Sequence, residues 1–314
     1  MRVPNSVNVI SDDELRTFAR EFFNENYDQI SSDVELIREW INSTPHMSNV
    51  RQDDEFLHMF LRGCNYDVAA TKEKLDKFFT VRSLVPEWFD NWNPTQSNLE
   101  EIWKAGIFLP LRGFDKHGRY VILVRTGHVV PSSMKIDDCW KAFIMMFALC
   151  LEGNIQANTK GFVLLLDEEK ITASHVLMMT PTTLKKLMLV FQEAYPLDNT
   201  QLIDLSMIYF QNMPKILKTF LNLFFSFLNE KYRKIVRVHS SSEGCSALRE
   251  ELGEDVLPAE YGGSNSDVAE LTNFWRDKLV EQTEWLTSQT TLKTNESLRK
   301  GKSKMKAELG CCLM

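Results

Sequence analysis

Residues 161–167 read GFVLLLD, a continuous apolar run of strand length closed by a carboxylate. A strand with one wet face alternates apolar and polar residues. A run without alternation is what a strand covered on both faces of a parallel sheet requires. Working outward, GIFLPLRGFDKHGRYVILVRTG (106–127) places two apolar runs around Asp115-Lys116-His117-Gly118 and reads as a hairpin, with Val121 to Val124 the stronger strand. IDDCWKAFIMMFALCLEGN (136–154) reads as a helix apolar over most of its surface. TPTTLKKLMLVFQEAYP (180–196) reads as another, with Thr180 as N-cap and Pro181 at the first helical position. LSMIYFQN (205–212) is a strand, and MPKILKTFLNLFFSFLNEKYRKIVRVH (213–239) a long helix running into a last short strand. Strands alternating with helices predict an α/β domain with a mostly parallel sheet.

The chain before this domain has another character. SDDELRTFAREFF (11–23), SDVELIREWI (32–41), DDEFLHMFLRG (53–63) and DVAATKEKLDKFFTVRSLV (67–85) each carry apolar residues at helical spacing. Ser11 is placed to cap the first, Gly63 to stop the third, and Pro86 to end the fourth. NWNPTQSN (91–98) is a polar linker. The expected organisation is a small helical domain over 1–93, an α/β domain over 94–287, and a flexible basic tail over 288–314.

Composition excludes several function classes. With 314 residues, 44% apolar and 25% charged, the chain has enough apolar matter for a sizeable core. A formal charge of -7 is no footprint for nucleic acid. The 6 cysteines show neither CxxC pairs nor zinc spacing, so no disulfide framework and no metal site is expected. The start, MRVPNSVNVISDDELR, lacks an apolar run behind basic residues and does not read as a secretory signal, which implies a cytoplasmic protein. Neither a Walker loop nor GxGxxG follows a strand. Ser174 and His175 lie near Asp167, but without a GxSxG elbow Thr172 or Ser174 serves better as a helix cap than as part of a triad. The carboxylates Asp167-Glu168-Glu169 read as a solvated loop after a strand. No catalytic residue is assigned, and no cofactor is expected.

The informative feature is the apolar helix around Ile216, Leu217, Phe220, Leu221, Leu223, Phe224, Phe225, Phe227 and Leu228, whose apolar residues populate every face. Such a helix is either central core or a lid with one face on a ligand. It is interrupted by Lys218, Thr219, Asn222 and Ser226 and is too short to span a bilayer. Lys231, Arg233, Lys234 and Arg237 follow at once. Apolar helix plus basic cluster suits docking to an anionic membrane surface, where the two attractions add.

Taken together and in order, DDEFLHMFLRGCNYDVAATKEKLDKFFTVR, DKHGRYVILVRTG, GFVLLLDEEKITASHVLMMTP, EAYP, QNMP, NEKYRKIVRVH and LPAEYGG resemble the CRAL-TRIO lipid-binding family, which includes tocopherol and retinaldehyde carriers. The resemblance covers residues 30–285 or so. It implies a sheet flooring an apolar pocket, preceded by a helical domain and closed by the Met213 to Leu228 helix as a mobile gate. It implies non-enzymatic binding and transfer of a hydrophobic ligand such as a retinoid, carotenoid, tocopherol, sterol or fatty-acyl lipid. The pocket walls it points to are Phe143, Met146, Phe147, Phe162, Leu164, Leu166, Leu187, Val190, Phe191, Ile208, Phe210, Phe220, Leu221 and Phe224. Two departures stand out. The segment LDNTQLIDLSMIYFQ lacks Lys and Arg where the tocopherol carrier has two basic residues, so phosphoinositide-triggered release does not carry over. Ile144 and Ala148 stand where polar side chains would hold a chromanol head, which favours a more apolar ligand.

The chain closes with LRKGKSKMKAELGCCLM (298–314). Cys311-Cys312-Leu313-Met314 fits C-a-a-X with a farnesyl group on Cys311. One lipid chain anchors only marginally, and Arg299, Lys300, Lys302, Lys304 and Lys306 supply a polybasic second signal. A peripheral membrane association is therefore expected. The alternative to a carrier is a membrane-tethered adaptor that senses the lipid rather than transporting it. Oligomeric state is left open.

Overall fold

The computed structural model describes residues 6–23, 25–196, 207–212, 214, 217–239, 245–301, 303 and 305–307. The chain divides into two compact units. One comprises Met1–Leu15, Asn93–Met179 and Ile203–Glu284, and the other Arg16–Trp92, Thr180–Leu202 and Trp285–Met314. Both draw on distant parts of the sequence, unlike the expected boundaries after residues 93 and 287.

The first unit is built on a sheet of five strands in the order β1-β2-β3-β4-β5: β1 Phe108–Phe114, β2 Tyr120–Arg125, β3 Phe162–Asp167, β4 Met207–Gln211 and β5 Val236–Val238. β1 and β2 form the expected antiparallel hairpin, and the remaining pairs are parallel. Asp115 is fully buried in the hairpin turn, where it accepts from Arg119 Nε at 2.7 Å and from the backbone N–H groups of His117 and Arg119. This closes the turn with a charge-assisted network. The long helix expected after residue 213 is two: Leu217–Phe227 and Glu230–Lys234, separated at Asn229, which stands as N-cap to the second. Met213 and Ile216 lie outside the described residues.

The second unit packs helices α1 (Asp12–Phe23, entering from the first unit), α2 (Tyr27–Ser43), α3 (Asp54–Gly63), α4 (Val68–Leu84) and α5 (Pro86–Phe89). Asn26, Asp53 and Asp67 cap α2, α3 and α4 by accepting from first-turn N–H groups. Its core holds Ile37, Ile41, Leu57, Phe60, Phe79, Trp88 and Trp92, all at 1% exposure or less. Glu25 is buried against Arg62, which donates to it through Nε at 3.0 Å and Nη2 at 3.1 Å. Burial works to raise that carboxyl, but the hydrogen bonds from His58 and Arg62 prevail and hold it well below the usual carboxylate range.

The segment 180–196 belongs to this helical unit. It forms a helix over Pro181–Met188, capped by Thr180 as expected, and continues as a widened π turn over Leu189–Ala194. Lys74 Nζ donates to the carbonyl of Glu193 at 2.9 Å, and Phe78 meets Tyr195 edge-on at 5.3 Å. Gly63 ends α3, but its lack of a side chain serves a different purpose: a Cβ there would lie 2.2 Å from the carbonyl oxygen of Pro196.

The expected flexible tail is, as far as Arg299, a strap on the helical unit. Arg82, 4% exposed, donates to the carbonyls of Leu292 at 2.8 Å and Gln289 at 2.5 Å from among the rings of Phe78, Phe89 and Trp92. Burial draws the Arg82 guanidinium down to about 10. Ser83 donates to Thr294 O, Asn49 to Thr291 O, and the Asn295 N–H to His46 O. Arg299 grips both oxygens of Asp76 at 2.7 and 2.8 Å. The segment looks polar in sequence because it is held by backbone carbonyls rather than by apolar side chains.

Candidate functional site

Consecutive residues of β3 are covered unequally. Val163 and Leu165 are 0% exposed, whereas Leu164 and Leu166 are only partly covered, although β3 is flanked by a strand on each side. Side chains alternate between faces, so Leu164 and Leu166 share one face of the sheet and Val163 and Leu165 the other. By register Leu164 pairs with Ile122 and Ile208, and Leu166 with Val124 and Phe210, of which Ile122, Val124 and Phe210 are buried at 5% exposure or less. Ile208 is also only partly covered. On the opposite face Val121, Leu123 and Tyr209 are buried at 2% exposure or less, and Met207, the partner of Val163, is partly covered.

Two helices flank the open face. The first spans Ile136–Leu151, placing Phe147 against Phe162 at 5.2 Å and Phe143 against Phe108 at 5.4 Å. Phe162 and Phe108 share the face of Leu164 by register. The second is the apolar helix Leu217–Phe227, whose Phe224 meets Phe210 at 6.0 Å and Phe220 at 6.3 Å. Between them Leu164, Leu166 and Ile208 form an apolar floor. Met146 and Leu221 are buried at 1% and 8% exposure, while Phe220 and Phe224 are partly covered.

The structure thus gathers eleven of the fourteen expected wall residues in the sheet unit: Phe143, Met146, Phe147, Phe162, Leu164, Leu166, Ile208, Phe210, Phe220, Leu221 and Phe224. Leu187, Val190 and Phe191 belong to the helical unit, where Phe191 stacks on Tyr195 at 5.5 Å and Val190 is fully buried. Leu223 on the apolar helix is 40% exposed and Phe225 and Phe227 are partly so, leaving that helix with an outward apolar face as well as an inward one.

The basic cluster follows the apolar helix. Arg233, Lys234 and Arg237 are exposed and Lys231 is partly so. Arg233 donates to Leu228 O at 2.9 Å, Arg237 to Lys234 O at 2.8 Å, and Lys234 pairs with Glu230 at 3.4 Å. Their charges sit at the surface, at the end of the parallel strands' last crossover.

At the carboxyl end of β3 the expectation of solvated acids is corrected. Asp167 and Glu168 are 6% and 4% exposed, and of the three only Glu169 faces solvent. Asp167 accepts from Tyr261 OH at 2.6 Å, Asn212 Nδ2 at 2.8 Å and the Glu169 N–H at 3.1 Å. Glu168 accepts from Thr126 Oγ1 at 2.7 Å, while its N–H donates to Gln211 O. Burial pushes the Glu168 carboxyl up to about 7. These acids tie β2, β3, β4 and the Tyr261 loop together. Asn212, with φ of 57°, is thereby held at the last described residue before Met213.

His175 makes no triad. Its Nδ1 pairs with Thr172, which caps the helix Ala173–Met178 in a reciprocal capping box, and its Nε2 lies 2.9 Å from Val129 O. Ser174 is exposed on that helix. Sequence reasoning missed Tyr261 and Thr126 as partners of the acids, since they stand 94 and 42 residues away.

The comparisons with known proteins bear on this arrangement. Residues 104–263, just over half of the chain, match the CRAL/TRIO domain. The chain belongs to the CRAL/TRIO family. Its residues 26–99 match the Pinta-like UBA domain, which places a family module on the helical region as well. Among its relatives are clavesin-2 of Rattus norvegicus, 25% identical over 78% of this chain and 72% of the relative. Another is the alpha-tocopherol transfer protein-like protein of Homo sapiens, 25% identical over 82% of this chain and 72% of its own. The crystal structure of Sfh5 shares the fold with a TM-score of 0.50 at 14% identity, covering 87% of this chain and 99% of Sfh5. The open-faced parallel sheet and the apolar helix both lie within or across the CRAL/TRIO region. Among the described residues no helix is long and apolar enough to cross a membrane.

Proposed function

We propose that this protein binds a long hydrophobic ligand on the open face of its sheet and transfers it between membranes without catalysing a reaction. The observation that carries the reading is the unequal covering of β3, where Leu164 and Leu166 are left partly open on a face otherwise built of rings and branched aliphatics. Membership of the CRAL/TRIO family and the likeness to an alpha-tocopherol transfer protein-like relative support it. Each CH₂ taken from water onto such a face is worth about 0.8 kcal/mol, so a long chain or polyene needs no polar anchor. The described floor offers aliphatic and aromatic carbon rather than hydrogen-bonding groups, which favours a retinoid, carotenoid, sterol or fatty-acyl lipid over a ligand with a demanding polar head.

The helix Leu217–Phe227 serves as gate, its outward Leu223 face meeting the membrane while Lys231, Arg233, Lys234 and Arg237 meet anionic headgroups. The tail adds a second attachment. Cys311 and Cys312 lie outside the described residues; a farnesyl group on Cys311 together with the tail lysines gives the two signals that stable peripheral binding needs.

The deciding experiment is native mass spectrometry, with solvent extraction, of protein from a eukaryotic host. A stoichiometric hydrophobic ligand is expected, and intact mass reads the state of Cys311 directly. A protein that is empty and takes up no retinoid, carotenoid, sterol or fatty acid would overturn the carrier reading in favour of a membrane-tethered adaptor.

A further inference from the structure

We infer that Lys141 holds the head of the bound ligand, and that the ligand is a long-chain carboxylic acid, such as a fatty acid or an acidic retinoid, rather than an alcohol, an ester or a hydrocarbon. The inference rests on the carrier reading and deepens it. Lys141 is the only basic residue of the helix Ile136–Leu151 and is 9% exposed. Lysine is almost never buried to that extent unless it is paired. Among the described residues none, Asp137 one turn back included, gives Lys141 a hydrogen bond or an ion pair. Asp137 and Asp138 sit instead in the first turn of the helix, where its dipole favours carboxylates.

The place of Lys141 on the helix connects it with the apolar floor. Phe143 and Phe147 turn one stripe of the helix onto the sheet, against Phe108 and Phe162, on the face of Leu164 and Leu166. Helical spacing puts Lys141, Ile144 and Ala148 on a second stripe, along the flank of the helix. From Lys141 to Leu151 every residue is buried except Ala148, which is partly open although its side chain is a single methyl. The helix is therefore incompletely covered on the stripe that carries the lysine. This helix borders the floor of Leu164, Leu166 and Ile208, so a ligand lying on that floor would present its head to this flank.

The chemistry selects the head group. A buried ammonium without a counter-charge is costly, and an anion that arrives with the ligand removes that cost. One ammonium balances one carboxylate through a charge-assisted hydrogen bond. A phosphate monoester carries about two charges and three acceptor oxygens, more than a single lysine satisfies. An alcohol or ester offers an acceptor but no charge. A hydrogen bond to a charged group is worth enough to make the acid bind roughly 10–100-fold more tightly than its own methyl ester, whose chain buries the same carbon.

The test uses the full chain stripped of lipid and titrated by fluorescence with two series of probes: cis-parinaric acid, its methyl ester and its alcohol, and retinoic acid, methyl retinoate and retinol. The wild type is compared with Lys141→Met, a straight chain of similar length without the charge, and with Lys141→Arg, which keeps it. The expected result is that in at least one series the wild type prefers the acid by roughly 10–100-fold, that Lys141→Met binds the acid no better than the ester, and that Lys141→Arg keeps a preference for the acid. Thermal melts of the lipid-free proteins check that the variants fold, and the wild-type series decides the matter even where one does not. Acid and ester bound equally by the wild type, or an acid preference that survives in Lys141→Met, overturn the role of Lys141 while the carrier reading stands. If the wild type binds no member of either series, the carrier reading has failed and the assignment of the head group fails with it.

Discussion

The neighbours Leu164 and Leu165 offer a direct test of which face of the sheet is pocket and which is core. Both are leucines in one strand, with the same neighbouring strands on either side. Leu165 is 0% exposed between Leu123, also 0%, and Tyr209 at 2%. Truncation to Ala there removes its transfer energy and leaves a cavity in a closed layer, at a cost of about 3–4 kcal/mol. Leu164 faces the partly open side. It has fewer partner atoms to lose, and the space it leaves adjoins space already present, so Leu164→Ala should cost about 1–1.5 kcal/mol in lipid-free protein. The order reverses for the ligand. Leu164→Ala should weaken binding of a fluorescent retinoid or fatty acid by roughly 5–10-fold, since about 1 kcal/mol of contact with the chain is removed. Leu165→Ala should leave the affinity of the folded fraction within about twofold. Urea unfolding of delipidated protein and a titration at fixed temperature measure both quantities. Equal stability costs at the two positions, with ligand affinity untouched by Leu164→Ala, would refute the assignment of the face.

Further outcomes are expected from the buried polar groups. Glu168, raised to about 7 by burial, favours its neutral form in the folded protein over an unfolded value near 4.5, so its contribution is fully present below pH 4.5 and is lost as pH rises through 7. The ceiling is on the order of 3 kcal/mol, and Glu168→Gln should flatten this part of the stability–pH curve in thermal melts between pH 5 and 8. Tyr261→Phe removes the 2.6 Å hydrogen bond to buried Asp167 and should cost about 1.5–3 kcal/mol in chemical denaturation. A chain ended after Thr287 loses the Gln289 and Leu292 carbonyls that Arg82 uses and should be destabilised by about 3 kcal/mol or more, whereas one ended after Ala307 keeps the strap and the buried Met305 and should melt within a degree or two of the full chain. Equal melting of the two truncations would remove the strap from the account of stability.

Local sequence determined whatever depends on neighbours along the chain. The unalternating GFVLLLD run required an interior strand of a parallel sheet, the Asp115 turn a hairpin, and Thr180-Pro181 a helix start, because periodicity and capping act within a few residues. The apolar helix at Leu217–Phe227 was legible as ambiguous between core and lid, since an all-round apolar surface has both solutions. Tertiary structure resolved what the pattern could not: which face of β3 is closed. Alternation is invisible in an all-apolar strand, so Leu164 and Leu165 look alike until helices are packed against the sheet. It likewise buried Asp167 and Glu168 through Tyr261 and Thr126, and drew residues 180–196 and the strap onto the helical unit. Those contacts are between side chains and carbonyls far apart in sequence. A carbonyl belongs to every residue, so composition carries no trace of the one that Arg82 selects.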